Sequence, residues 1–328
     1  MQRVGLTIAV CLAALVSVNI AASAQTLPAQ IWPTKPIKVF IPFSAGSATD
    51  IIPRAVFERV SAELGQPIVI ENRGGAGGTI AVGAVVKAEP DGYTILANSS
   101  AHTVAPSIID NIPYDTAKDL AAVVALGKNA NILVVSPAKG WRTAADLVAA
   151  AKARPGALNY ASAGVGTATH VSAERFRQSA GFQATHVPYR GGPEALADLF
   201  GGRVDFYYCP ISTALPLIRD GRLIALATST PQRASALPDV PTSLEAGYAN
   251  SDYTVWYGVF MPAKTPHAII DRFHTATTQV IQTPAMRQKL AELAVDPMPL
   301  KPAELDALVE TEIKANEKLI KAAGIRPN

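Results

Sequence analysis

Residues 42–50 read PFSAGSATD. The five residues before them, Ile37-Lys38-Val39-Phe40-Ile41, are mostly branched or aromatic and read as a β-strand. From Ile51 onward the spacing is helical. A loop of Ser, Ala, Gly and Thr therefore joins a strand to a helix. A tight turn needs such small residues, and so does a loop that aims its backbone N–H groups at an anion. The first amides of a helix lack internal partners, and the helix dipole favours negative charge there.

Further along the chain the same junction recurs. Ser162–His170 reads SAGVGTATH, between a strand at Leu158–Ala161 and a helix at Thr169–Ala180. Strands and helices alternate around both loops. Lys38–Phe43, Pro67–Glu71, Tyr93–Ala97, Leu120–Leu126, Ile132–Ser136, Ala184–Val187, Val204–Tyr208 and Leu223–Thr228 read as strands. Asp50–Leu64, capped by Thr49 or Asp50, Thr79–Ala88, Thr143–Ala153, Pro193–Phe200 and Ser212–Arg219 read as helices. Tyr253–Met261 reads as extended. Pro266–Gln282, Pro284–Leu293 and Pro302–Ala323 read as helices opening on proline. The alternation predicts an α/β fold of parallel sheets covered by helices. Ligands of open α/β sheets lie beyond the carboxyl ends of the strands, where both loops fall. A carboxylate between facing loops would be held from both sides.

The bulk composition agrees. The 328 residues are 49% hydrophobic and 17% charged with net charge +3, too weakly basic for a nucleic-acid binder. Residues 1–24 stand apart. Arg3 is their one charge, Val4–Ile20 is largely apolar, and Ala22-Ser23-Ala24 is a small-x-small cleavage pattern, so we read a signal peptide removed before Gln25. Its rival is an uncleaved anchor, for which the run is short. Cys11 falls inside the leader. Cys209 is then the single cysteine of the mature chain, forms no internal disulfide, and reads as a small buried hydrophobe.

Motifs for other chemistry are incomplete. Gly164-Val165-Gly166 lacks the third glycine of a dinucleotide fingerprint. Gly74-Gly75-Ala76-Gly77-Gly78 lacks the Gly-Lys-Ser/Thr end of a phosphate loop and reads as a flexible turn. There is no Gly-x-Ser-x-Gly elbow, and the five histidines have no metal-ligand spacing. No cofactor and no metal are expected. Several residues keep two readings. His170 touches an anion or holds its loop. Asp50 meets a ligand amide or cation, or caps its helix. Arg190 offers a planar fork to a carboxylate or makes a surface ion pair. Asp205 touches the ligand or orients loops.

The segments WPTKPIKVFIPFSAG (32–46), VIENRGGAGGTIA (69–81), DGYTILANSS (91–100), ASAGVGTATH (161–170), VPYRGGPEALADLFGGRVD (187–205) and LPDVPTSLEAG (237–247) together resemble the periplasmic substrate-binding proteins of tripartite tricarboxylate transporters, the Bug family. The resemblance runs nearly end to end over the mature chain. It implies a two-domain periplasmic binding protein, a type II-like clamshell with its ligand cleft between domains. Domain 1 would hold residues 33–130 plus 253–328, domain 2 residues 131–252, with 25–32 as a linker. It implies a carboxylate held by Ser44, Ala45, Gly46, Ser47 and Asp50 on one side and Ser162, Gly166, Thr167 and His170 on the other; Arg190 and Asp205 join these ligand-binding candidates on their own chemistry. Ser47 departs from the family pattern, which usually has glycine there. Tyr207, Tyr208, Trp256 and Tyr257 could form an aromatic wall, although core or hinge packing accounts for most of them. The implied function is a periplasmic receptor, not an enzyme, that delivers a small carboxylate to the membrane components of a transporter. A monomer is expected, with no nucleic-acid partner. A sensory receptor and a secreted enzyme using His170 or Asp50 as base are the alternatives.

Overall fold

A computed structural model describes residues 32–109 and 111–322. The leader read at 1–24 and all but the last residue of the linker lie outside the described residues.

Chain order begins β1 (Ile37–Ile41), α1 (Ala48–Leu64), β2 (Ile68–Asn72), α2 (Thr79–Val86), β3 (Thr94–Ser99) and α3 (Ala101–Ile108). β1 lies between β2 and β3 and runs parallel to both. Then comes β4 (Leu120–Val135), 16 residues long. It is followed by α4 (Ala144–Ala153), β5 (Asn159–Ser162), α5 (Ala168–Ala180), β6 (Thr185–Pro188), α6 (Gly192–Phe200), β7 (Phe206–Pro210), α7 (Ile211–Arg219) and β8 (Ile224–Thr228). β5 runs parallel to β6 and β7. β9 (Thr254–Pro262), α8 (His267–Gln282), α9 (Pro284–Glu292) and α10 (Pro302–Ala322) complete the chain.

The strands form a mixed sheet of order β2-β1-β3-β9-β4-β7-β5-β6, with β8 also on β4. The expectation of purely parallel sheets is corrected at the centre. β4 is antiparallel to β7, β8 and β9, and β3 to β9. The chain crosses the molecule on β4, and β9 returns beside it, so no crossover helix aligns them. The register divides β4 sharply. Leu120–Ala130 pairs with β9, and Asn131–Val135 with β7 and β8. The first sheet half thus carries β1–β3 and β9, the second β5–β8.

Two other expectations change. Leu120–Leu126 and Ile132–Ser136 are one strand, because Gly127 (φ +145°) passes through a bulge instead of ending it. The short helix α3, which holds Pro106 and has little periodic signal, was not expected. In the second half, alternation buries both faces of β4. Leu133 and Val135 pack with Phe176 and Tyr208, while Ile132 and Val134 pack with Leu199, Tyr207 and Cys209. Trp256 lies in the core of the first half and donates from Nε1 to Glu312 Oε2 at 2.9 Å, under α10.

Candidate functional site

The loops after β1 and β5 meet. They flank a cavity of about 30 Å³. One wall is Ser47, Ala48 and Thr49 at the start of α1. The facing wall is Ala163 with Thr167, Ala168 and Thr169 at the start of α5. Ser99, Asn131, Tyr207, Pro210, Thr213, Val255 and Tyr257 form the floor, and Phe43 and Gly192 close the rim. Two helix N-termini therefore point into one small space.

No Asp, Glu, Lys, Arg or His lines this cavity. Its polar character comes from neutral groups. Four side-chain atoms in its lining are buried without a hydrogen-bond partner: Ser47 Oγ, Asn131 Oδ1, Tyr207 OH and Thr213 Oγ1. Each orphaned polar group costs free energy on the order of 1–3 kcal/mol unless something fills the space and bonds to it. Hydroxyl donors beside two positive helix ends suit an anion.

Ser47 is well placed for that role. It is the N-cap of α1, correcting the expected caps Thr49 and Asp50, and has extended backbone (φ −69°, ψ 160°). A serine adopts that conformation without strain, so glycine is not required there. Its side chain makes no cap bond, and its hydroxyl stays free.

Most of the other residues named from the sequence shape the loops instead of lining the cavity. Asp50 Oδ2 accepts from the Gly46 amide at 2.9 Å, and its Oδ1 accepts from Arg54 Nη2 at 2.6 Å and Asn72 Nδ2 at 2.9 Å. Burial opposes ionisation of Asp50, but these donors outweigh it and hold its carboxyl below the usual range. Ser162 Oγ bonds His186 Nε2 at 2.6 Å and accepts from the Gly164 amide. Thr167 Oγ1 donates to Gly164 O at 2.8 Å and accepts from the His170 amide as the cap of α5. His170 Nδ1 accepts from the Gly166 amide at 3.2 Å, and its ring stacks on His186 at 4.0 Å. Burial lowers the pKa of His170 to about 4 and that of His186 to about 3, so both rings are neutral. Neither His170 nor Asp50 reaches the cavity as a base.

Ala45 and Gly46 lie exposed at the turn, outside the lining. Ser44 Oγ donates to Glu194 Oε1 at 2.7 Å. Asp205 is tied to Lys139 and to the Asn159 amide, at the base of β5. Arg190 borders a second space of about 670 Å³ with Pro42, Phe43, Gly75–Gly78, Ile109, Val165, Tyr189 and Glu194. That chamber shares Phe43 and Ala163 with the cavity.

The four aromatic candidates divide by strand alternation. Tyr207 and Tyr257 face the cavity, while their neighbours Tyr208 and Trp256 point into the cores. Asn131, Thr213 and Ser99 were missed from the sequence. Polar residues in apolar runs, such as Asn131 before Ile132-Leu133-Val134, were the available signal.

Comparison with known proteins gives a consistent result. The family model described as "Tripartite tricarboxylate transporter family receptor" matches residues 52–325. A protein encoded in the tcbD-tcbE intergenic region of Pseudomonas sp. (strain P51) is 35% identical over 298 residues, covering 90% of this chain and 88% of that protein. Protein BugT of Bordetella pertussis is 31% identical over 319 residues, covering 96% and 98%. A Rhodopseudomonas palustris protein solved with adipate superposes with TM-score 0.88 at 32% identity, over 90% of this chain and all of that one. MatC from the same organism, solved with malate, gives TM-score 0.84 at 30% identity over 88% and 99%. The fold is the two-domain α/β fold of periplasmic binding proteins. The family is one of substrate-binding receptors, not enzymes, and this chain belongs to it: a tripartite tricarboxylate transporter family receptor.

Proposed function

We propose that the protein captures a small organic carboxylate in the cavity between the α1 and α5 N-termini and hands it to the membrane components of a tripartite tricarboxylate-type transporter. It does so as a monomer in the periplasm, after removal of residues 1–24. One observation carries the ligand class. A cavity without any charged side chain gathers three unpaired buried hydroxyls, of Ser47, Tyr207 and Thr213, and two helix N-termini. A carboxylate supplies acceptors to the hydroxyls and charge to the helix ends. Adipate and malate in the structural relatives point the same way.

About 30 Å³ holds roughly two waters, so a larger ligand enters only when the walls part. The proposed moving bodies are residues 33–130 with 253–328, and 131–252. The change of pairing partner in β4 between Ala130 and Asn131 supports that division. The body of the ligand extends past Phe43 into the larger chamber, where Arg190 is the one cation in the lining. Ser44, Ala45, Gly46, Asp50, Ser162, Gly166 and His170 act by shaping the two loops, and Asp205 by holding the start of β5.

A thermal-shift screen of residues 25–328 against mono-, di- and tricarboxylates and amino acids tests this. A carboxylate at 100 times its dissociation constant stabilises by about 2.7 kcal/mol. A hit recovered unchanged supports a receptor. A chemically altered hit, or stabilisation by amines alone, overturns it.

A further inference from the structure

The glycine-rich segment 74–78, read from the sequence as a flexible turn, lies against the other half of the molecule. A Cβ built on Gly77 would sit 2.8 Å from Val165 O, a backbone atom of the second sheet half. The reciprocal contact comes from the second half. A Cβ on Gly191 would sit 2.8 Å from Ser44 Cβ and 3.0 Å from Ser44 Oγ. Real Cβ atoms essentially never come so close. Beside that contact, Ser44 Oγ donates to Glu194 Oε1 across the same boundary. At this edge the two halves thus meet through two glycines, one from each side, and one hydrogen bond.

We propose that Gly191 and Glu194 are positioning residues that set ligand affinity without touching the ligand: Gly191 permits the closed approach of the two lobes, and Glu194 latches it by accepting the Ser44 hydroxyl. The proposal rests on the two-lobe receptor reading. Gly77 has φ +62°, so its backbone alone favours glycine. Gly191 does not have that excuse. Its φ of −177° is extended backbone open to any residue. The approach of Ser44 is what excludes a side chain there, since the other tight neighbour, Glu194 Oε2 at 3.2 Å, ends a flexible exposed side chain that can move aside; alanine at 191 therefore fits the open protein and not the closed one. The latch differs in character, because Glu194 is exposed and its bond competes with water.

Spin labels at Lys87→Cys, just past the end of α2, and Lys152→Cys on α4, both exposed, would report the distance between lobes. Cys209 is fully buried and stays unlabelled. Distances are recorded without ligand and with malate or adipate, and calorimetry on the same samples records binding. The wild type should populate a short distance in at least one condition. Gly191→Ala should reduce that population about tenfold, since a seam this close cannot absorb a methyl group. Gly74→Ala is the control. Its Cβ would meet nothing closer than 3.6 Å, so it should leave distances and binding unchanged. Ser44→Ala and Glu194→Ala should each reduce the population about threefold, and the double variant no further.

The proposal is overturned by an unchanged short population in Gly191→Ala, by Ser44 and Glu194 effects that multiply, or by a wild type with only the long distance in every condition. Carboxylate heats with unaltered distances would defeat the latch and leave the receptor reading standing. Altered distances without carboxylate heats would do the reverse.

Discussion

The loop after β1 and the loop after β5 are chemically alike, yet the fold wires them differently. In the first, the anchor is an ion pair outside the cavity: Asp50 holds Gly46, Arg54 and Asn72, and the N-cap hydroxyl of Ser47 stays free. In the second, the hydroxyls themselves are the anchor. Ser162 and Thr167 are spent on Gly164, His170 and His186, so that wall offers backbone N–H groups instead. Matching composition conceals a division of labour, with one loop presenting a side chain and the other its helix end.

The largest expected effect comes from breaking the first anchor. Asp50→Leu leaves the Gly46 amide unpaired and takes the shared carboxylate from Arg54 and Asn72, which keep only each other and Phe43 O. The cost should be about 3 kcal/mol, read by urea denaturation, with carboxylate binding lost because the turn is no longer held. A chain of unaltered stability would mean that the loop holds its shape without Asp50.

The second anchor should break with acid. His170 has a folded pKa of about 4 and His186 of about 3, against 6.5 unfolded. Above pH 6.5 both states are neutral and nothing is lost. As pH falls from 6.5 toward 4, the unfolded chain takes up protons that the folded chain refuses, so stability falls. For His170 alone the loss at pH 5 is about 2 kcal/mol. Glu174 and Arg177, which face this pair, form a bidentate ion pair and largely cancel each other's field. Denaturation at pH 7.5 and pH 5 should show the loss, and His186→Asn should reduce it.

The same contrast separates what the residues announce from what only the fold decides. Both loops were legible because a strand-to-helix junction rich in Gly and Ser either turns tightly or presents its amides to an anion. Which hydroxyl stays free was not legible, since it depends on partners distant in sequence. Ser162 is satisfied by His186, 24 residues away, and Asp50 by Asn72, 22 away. The floor was half legible. Strand alternation requires neighbours such as Tyr207 and Tyr208 to face opposite sides, but only the fold says which side is the cavity. Asn131 sits where β4 changes partners, a position visible only once Gly127 is seen to continue the strand.

The smallest effects discriminate best between the two walls, because they set matched residues against each other. Thr167 and Ser47 are the N-caps of α5 and α1. Thr167→Ala removes a working cap and should cost about 1 kcal/mol of stability. Ser47→Ala removes a hydroxyl that caps nothing, so stability should hold or rise slightly as an unpaired buried group disappears. Carboxylate affinity should move the other way. Ser47→Ala should weaken it about fivefold, the value of one neutral hydrogen bond. Paired melts and titrations of the two variants decide the matter. If Ser47→Ala were to lose stability and keep affinity, its hydroxyl would be structural, and the free donor would have to be sought at Tyr207 or Thr213.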